Sequence, residues 1–191
     1  MPIAPVFASY EHPFSTPACL DGVLEVIEAA PFVFAMRGDL GLAGLMALGA
    51  DAGAVGTSST VRNLWLPRKN SGSNRSRTIL VPAAASWVPL TDLAEAVLEP
   101  RAGEPFRCDC PVCGDGGDVR DLLSVGAAIQ REHSNAAAIA LVRQIAAASD
   151  PVARWREVCE RAADTYARFD TDGIMPASRP PMLDAWLTWL G

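Results

Sequence analysis

The chain has 191 residues, half of them apolar, and a net charge of −6 at neutral pH. That length suffices for one full hydrophobic core, or a core with a small appended unit, and the composition argues against disorder. The acidic balance argues against a protein that coats nucleic acid electrostatically. Asp51 interrupts the Gly/Ala-rich stretch 40–57, so no apolar run reaches the roughly 18 residues of a membrane span, and the N-terminus lacks the basic-then-apolar order of a secretory signal. A soluble, cytoplasmic protein without a membrane partner is expected.

The first part reads as alternating strand and helix. The apolar run Pro5–Tyr10 predicts a strand, and Thr16-Pro17 predicts a helix start, with threonine as cap and proline at the first helical position. Leu20, Val23, Leu24 and Ile27 give that helix one apolar face. Pro31–Met36 is a short, continuous apolar run of the kind buried on both sides in a parallel sheet. Asp39 is placed to cap a following helix that carries Leu40, Ala43, Leu45 and Met46 and ends at Gly49, before a second buried strand at Ala52–Thr57.

From Ala52 through Thr91 there is no Asp or Glu, while Arg62, Arg68, Lys69, Arg75 and Arg77 crowd into one Ser/Asn/Gly-rich loop that also holds Trp65. These side chains suit phosphate contact and base stacking, so tRNA or DNA is a candidate partner through loop 62–77; an ordinary solvated loop is the alternative. Thr78–Val81 predicts a further strand, and Thr91 predicts the cap of a short helix with Leu93, Ala94 and Val97. Pro, Gly and charges at Glu99–Glu104 mark a boundary, dividing the chain into domains 1–99 and 100–191. Beyond it four helices are expected, at roughly 118–131, 134–148, 151–168 and 181–190. The third has Asp150 as cap and a stripe of Val152, Trp155, Cys159, Ala162, Tyr166 and Phe169, which makes Cys159 a small buried thiol.

Three of the five cysteines fall within six positions, Cys108, Cys110 and Cys113, on a loop tightened by Pro111 and Gly114. This clustering suits thiolate chemistry in a reducing compartment better than a disulfide framework. Thiolates spaced C-x-C-x2-C can converge on one ion, and zinc favours four such ligands in a tetrahedron. The chain has only two histidines, and His133, expected at the junction of two helices, is the candidate fourth ligand of a structural Zn2+ site. Free cysteines with a surface histidine, or an iron–sulfur cluster completed by Cys159, are the alternatives.

The order of these features, a βα region with Gly49-Ala-Asp51 before a strand, a basic loop, C-x-C-x2-C, then a helix and His133 followed by Asn135, resembles the C-terminal part of the tRNA-guanine transglycosylase family. That family includes relatives that insert 7-deazaguanine bases into DNA, and its tRNA products lead to queuosine. The resemblance covers about residues 31–170 and implies a (β/α)8 barrel with a zinc subdomain, the zinc held by Cys108, Cys110, Cys113 and His133. It thus predicts an α/β fold: a partial (β/α) barrel followed by a mainly helical zinc-binding subdomain. It also implies base exchange through an aspartate nucleophile, yet the strand that would carry it reads Ala52-Gly-Ala-Val-Gly-Thr57, with Ala54 near the expected carboxylate. Alanine cannot serve as a nucleophile. At most about 100 residues precede the zinc loop, half of what a full barrel needs. A non-catalytic or partial subunit is therefore expected, completed by a protein partner or a second copy of the chain. The alternatives are an active enzyme using Asp39 in place of the missing acid, and a zinc-stabilised nucleic-acid-binding module.

Overall fold

Thr16 and Pro17 start the first helix for the reasons their chemistry gives. The Thr16 Oγ1 accepts the N–H of Cys19 at 3.3 Å, and Pro17 occupies a position where no N–H is needed. The resulting helix α1, Pro17–Ala29, buries Leu20, Val23 and Ile27. The computed structural model describes residues 3, 8–9, 14–56, 64–65, 77–97, 103–174 and 179–191. They form two compact units interleaved in sequence. The first comprises 1–72, 142–159 and 180–191, and the second 73–141 and 160–179, so the division does not fall at residue 99. Among the described residues no helix is long and apolar enough to cross a membrane.

In the first unit, strand β1 is Ala8–Ser9, β2 is Phe34–Gly38, helix α2 is Gly41–Ala47, β3 is Ala52–Val55 and β4 is Leu64–Trp65. β2 and β3 pair in parallel, with Phe34 opposite Ala52 and Met36 opposite Ala54. Asp51 fixes the start of this ladder, because its Oδ2 accepts the Val33 N–H at 2.8 Å while its own N–H donates to the Val33 carbonyl at 3.1 Å. Asp39 Oδ1 accepts the Gly41 N–H at 2.9 Å and so serves the first turn of α2, as expected.

The strand order departs from that of a barrel. β4 pairs in parallel with β1, through Ala8–Leu64 and Ser9–Trp65, and Ile3 bridges in parallel to Val33. The N-terminal segment thus has β2 as neighbour at Ile3 and β4 at Ala8 and Ser9, whereas a barrel built in chain order sets β4 beside β3. Thr78–Val81, expected as one more strand of the βα series, is instead antiparallel and belongs to the second unit. The fold is mixed α/β, with small two-stranded sheets and no closed barrel among the described residues.

The rest of the first unit is closed by tryptophan. Helix α6, Pro181–Leu190, packs along α1 and buries Met182, Leu183, Ala185, Trp186 and Leu190. Trp189 Nε1 donates to Asp21 Oδ1 at 2.8 Å. Helix α5, Pro151–Thr171, begins as expected, with Asp150 Oδ1 accepting the Ala153 N–H at 2.9 Å. It contributes the fully buried Trp155, whose ring meets that of Trp186 edge-on, centroids 5.6 Å apart at 86°.

The second unit starts with strand β5, Thr78–Val81, turned back on β6, Ser86–Pro89, with Ile79 opposite Val88 and Leu80 opposite Trp87. The Leu90 N–H donates to the Arg77 carbonyl at 2.9 Å, so the chain turns from the strand directly into helix α3, Leu90–Ala96. Thr91 is consequently inside the first turn and bonds to Asp92 Oδ1 at 2.9 Å rather than capping. Two-residue strands β7, Arg107–Cys108, and β8, Gly117–Asp118, make a small antiparallel hairpin. A 3-10 turn, Val119–Ser124, leads to helix α4, Ala127–Ala146. The break expected at residues 132–133 is absent. Ser134 resembles a helix start in sequence, but its Oγ donates to the Gln130 carbonyl one turn back at 3.0 Å and the helix continues through it.

Gly44 lies where the indoles of Trp155 and Trp186 press on α2. A Cβ at Gly44 would collide with Trp155 Nε1 and stand 2.6–2.7 Å from two ring carbons of Trp186. Gly44→Ala should therefore lower unfolding stability by about 1–3 kcal/mol through overpacking, measured by urea denaturation. A stability equal to the parent would mean that the indoles are free to move.

Candidate metal centre

The hairpin β7–β8 sets the first ligand. Cys108 pairs with Gly117 across the ladder, and residues 109–116 form the loop between the strands. That loop folds on the Cys110 carbonyl, which accepts the N–H groups of Cys113 at 3.0 Å and Gly114 at 2.9 Å. Gly114 takes φ 75°, the left-handed region that lets the chain reverse after the third cysteine. Asp109 Oδ1 accepts the Gly116 N–H at 2.7 Å and holds the loop's two ends together.

Helix α4 brings His133 to the same point. The ligand atoms of Cys108, Cys110, Cys113 and His133 all lie within 4.8 Å of one another. His133 is fully buried, Cys108 and Cys110 are buried, and Cys113 is half-buried. The imidazole tautomer follows from its partners. His133 Nε2 lies 2.8 Å from the Leu80 carbonyl oxygen, which can only accept, so Nε2 carries the proton. Nδ1 then presents its lone pair to the Sγ of Cys113 at 3.1 Å and of Cys110 at 3.3 Å. A ligand histidine held by its second N–H in this way has both its ring plane and its donor atom fixed.

Burial shapes the proton affinities of the cluster. It pushes the Cys108 thiol up to about 11, with the neighbouring Cys110 sulfur adding to the effect. Cys113 is pushed higher still, first by burial and then by charge on Cys108. Three thiolates this close are unfavourable without a cation, and a divalent ion bound among them supplies it. His133 moves the other way: burial lowers its pKa, against the opposing effect of the Leu80 carbonyl. The imidazole therefore stays neutral near pH 7, as a ligand must.

Of the residues singled out in the sequence, these four are brought together. Cys159 is buried in the stripe of α5, as its spacing implied, and is not part of the cluster. Arg77 is exposed at the start of β5, and the backbone of Trp65 belongs to β4. Arg62, Arg68, Lys69 and Arg75 lie outside the described residues. Two participants escaped the sequence reading. The Leu80 carbonyl has no side-chain signal, and Ser134, whose Oγ accepts the Leu80 N–H at 3.1 Å, was hidden by its likeness to a helix cap. Compared with known proteins, the chain matches no family model, no curated sequence and no solved structure.

Two predictions follow from this geometry. A Cβ at Gly117 would collide with the carbonyl and Cβ of Cys113, so Gly117→Ala should displace the third thiolate and cost most of the bound metal, read by elemental analysis. Retention of full metal content would mean that the loop can yield without losing its ligands. Acidification should also release the metal, because protons compete for all four ligand atoms. The metal-free fold should weaken in the same direction, since a folded-state histidine pKa below about 6.5 makes stability fall as pH drops through that range. Bound metal measured from about pH 7 down to about pH 4 checks this; constant occupancy would contradict it.

Proposed function

We propose that this chain is a zinc-stabilised, non-catalytic protein of the tRNA-guanine transglycosylase type, which assists a catalytic partner in 7-deazaguanine modification of tRNA or DNA. The observation that carries the reading is the convergence of Cys108, Cys110, Cys113 and His133, the ligand set that the resemblance implies. Three thiolates and an imidazole suit Zn2+, whose bonds of about 2.3 Å to sulfur and about 2.0–2.1 Å to nitrogen put tetrahedral ligand atoms about 3.5–3.8 Å apart. The spacing within 4.8 Å, with nitrogen 3.1–3.3 Å from two sulfurs, is compatible with closing on such an ion. Four protein ligands leave no open position for water, so the zinc is structural, and its binding supplies on the order of 10 kcal/mol of apparent folding energy.

Two features favour the absence of base exchange by the chain alone. Strand β3 carries Ala54 near the position of the family's nucleophile, opposite Met36 in β2. Asp39, the remaining candidate acid, accepts the Gly41 N–H at the start of α2, which favours a structural role over that of a rearranged nucleophile. In this reading the partner supplies the carboxylate, and loop 62–77 contributes contacts to the nucleic acid.

The purified chain should contain about one zinc, lost in Cys110→Ala, and should not incorporate radiolabelled guanine into tRNA or DNA. A zinc-free chain would sink the metal reading. Guanine exchange that disappears in Asp39→Asn would sink the non-catalytic one.

A further inference from the structure

The candidate metal cluster is connected to strand β5 through the backbone of one residue, Leu80. Leu80 is opposite Trp87 in the antiparallel ladder, and its N–H and C=O both bond to side chains of α4, so they point away from β6. The carbonyl accepts His133 Nε2–H at 2.8 Å. The N–H donates to Ser134 Oγ at 3.1 Å. Ser134 in turn donates its one proton to the Gln130 carbonyl at 3.0 Å. Both backbone polar groups of Leu80, on the two peptide units joined at its Cα, are thus engaged by consecutive residues of one helix, and His133 and Ser134 are themselves buried.

We infer that Ser134 is a positioning residue of the metal centre: by holding the Leu80 N–H it fixes the backbone of the residue whose carbonyl holds the His133 ring, and so sets the rate at which the metal is lost. The inference rests on the metal reading above. His133 has one N–H besides its ligating nitrogen, and the acceptor for that N–H is a backbone atom that cannot be tuned by substitution at Leu80. Besides His133 itself, the side chain bonded to the Leu80 backbone among the described residues is that of Ser134. Removing its hydroxyl leaves the Leu80 N–H buried without an acceptor and frees the 79–80 peptide unit to move, which shifts the Leu80 Cα and with it the carbonyl of the next unit away from Nε2. Interactions of this outer kind shift metal affinity by roughly 10- to 100-fold.

The test uses the full chain loaded with zinc, and in parallel with cobalt(II) as a spectroscopic stand-in, for the parent, Ser134→Ala and Ser134→Thr. Transfer of zinc to a chromophoric chelator should be roughly 10- to 100-fold faster in Ser134→Ala. Its cobalt ligand-field bands should shift as the imidazole reorients. Ser134→Thr, which keeps a hydroxyl able to bond one turn back, should restore the parent rate and spectrum. Unchanged release and spectrum in Ser134→Ala would overturn the inference while leaving the metal site intact. So would a Ser134→Ala chain that stays unfolded in excess zinc while Ser134→Thr folds, since that places Ser134 in the core as such. A parent chain that binds neither metal overturns the underlying reading instead.

Discussion

The second unit depends on bringing three thiols and one imidazole to a single buried point. Burial and the neighbouring sulfurs make that arrangement costly to charge: Cys108 is pushed up to about 11 and Cys113 beyond it, so without a cation the sulfurs keep their protons, with the His133 Nδ1 as acceptor beside Cys110 and Cys113. The strands that carry two of the fixed points, Arg107–Cys108 and Gly117–Asp118, are only two residues long each. A ladder that short is not stable by itself in water. What the loop lacks in apolar burial, an ion with four ligands would provide, in a region where the backbone folds around the Cys110 carbonyl and the Asp109 carboxylate rather than around a core.

Around the cluster, polar contacts are arranged to carry its position outward. Arg120 forms a two-pronged pair with Asp118, Nη2 donating to Oδ2 at 2.6 Å and Nε to Oδ1 at 3.0 Å, and donates to the Ala96 carbonyl at 3.2 Å. Burial works against the Asp118 charge, but the bonds from Arg120 outweigh it and keep that carboxyl below its ordinary range. The same guanidinium lies 5.1 Å from the centre of the Phe106 ring, which stacks on Phe169 at 5.5 Å. Partial burial and forked geometry make this pair worth more than an exposed one. By contrast Arg168 and Glu104, bonded at 3.0 Å with side chains 42% and 79% exposed, add little. The strand β7 that begins the metal loop is thus held next to Phe106 by stacking, and β8 by the Arg120 fork.

Local chemistry was legible in the sequence wherever one residue determines its own surroundings. Thr16-Pro17, Asp39 and Asp150-Pro151 each start a helix through a bond to a nearby N–H, and C-x-C-x2-C names its own ligands. Legibility failed where a partner far along the chain decided the outcome. Ser134 has the chemistry of a cap, yet the Gln130 carbonyl and the Leu80 N–H, four and 54 residues away, keep it inside a helix. Thr78–Val81 has the composition of one more parallel strand, but a short connection to Ser86–Pro89 makes an antiparallel hairpin and assigns it to the second unit. Apolar periodicity gives no pairing partner, which is why the order of the parallel strands could not be read from it.

That order limits what the likeness to the transglycosylases carries over. In a (β/α)8 barrel the strands neighbour one another in chain order, and their carboxyl ends converge on one axis where catalytic acids from several strands meet. Here the N-terminal segment has β2 at Ile3 and β4 at Ala8 and Ser9 as its neighbours, so β4 does not extend the series from β3. Residues at the ends of these strands therefore need not face a common axis, and a carboxylate restored at Ala54 would not by itself recreate the family's site. What the likeness rests on is local to the candidate metal site: the three cysteines and His133. A closed four-ligand centre activates no water, so a metal held by these four residues would stabilise the backbone around it rather than carry out a reaction.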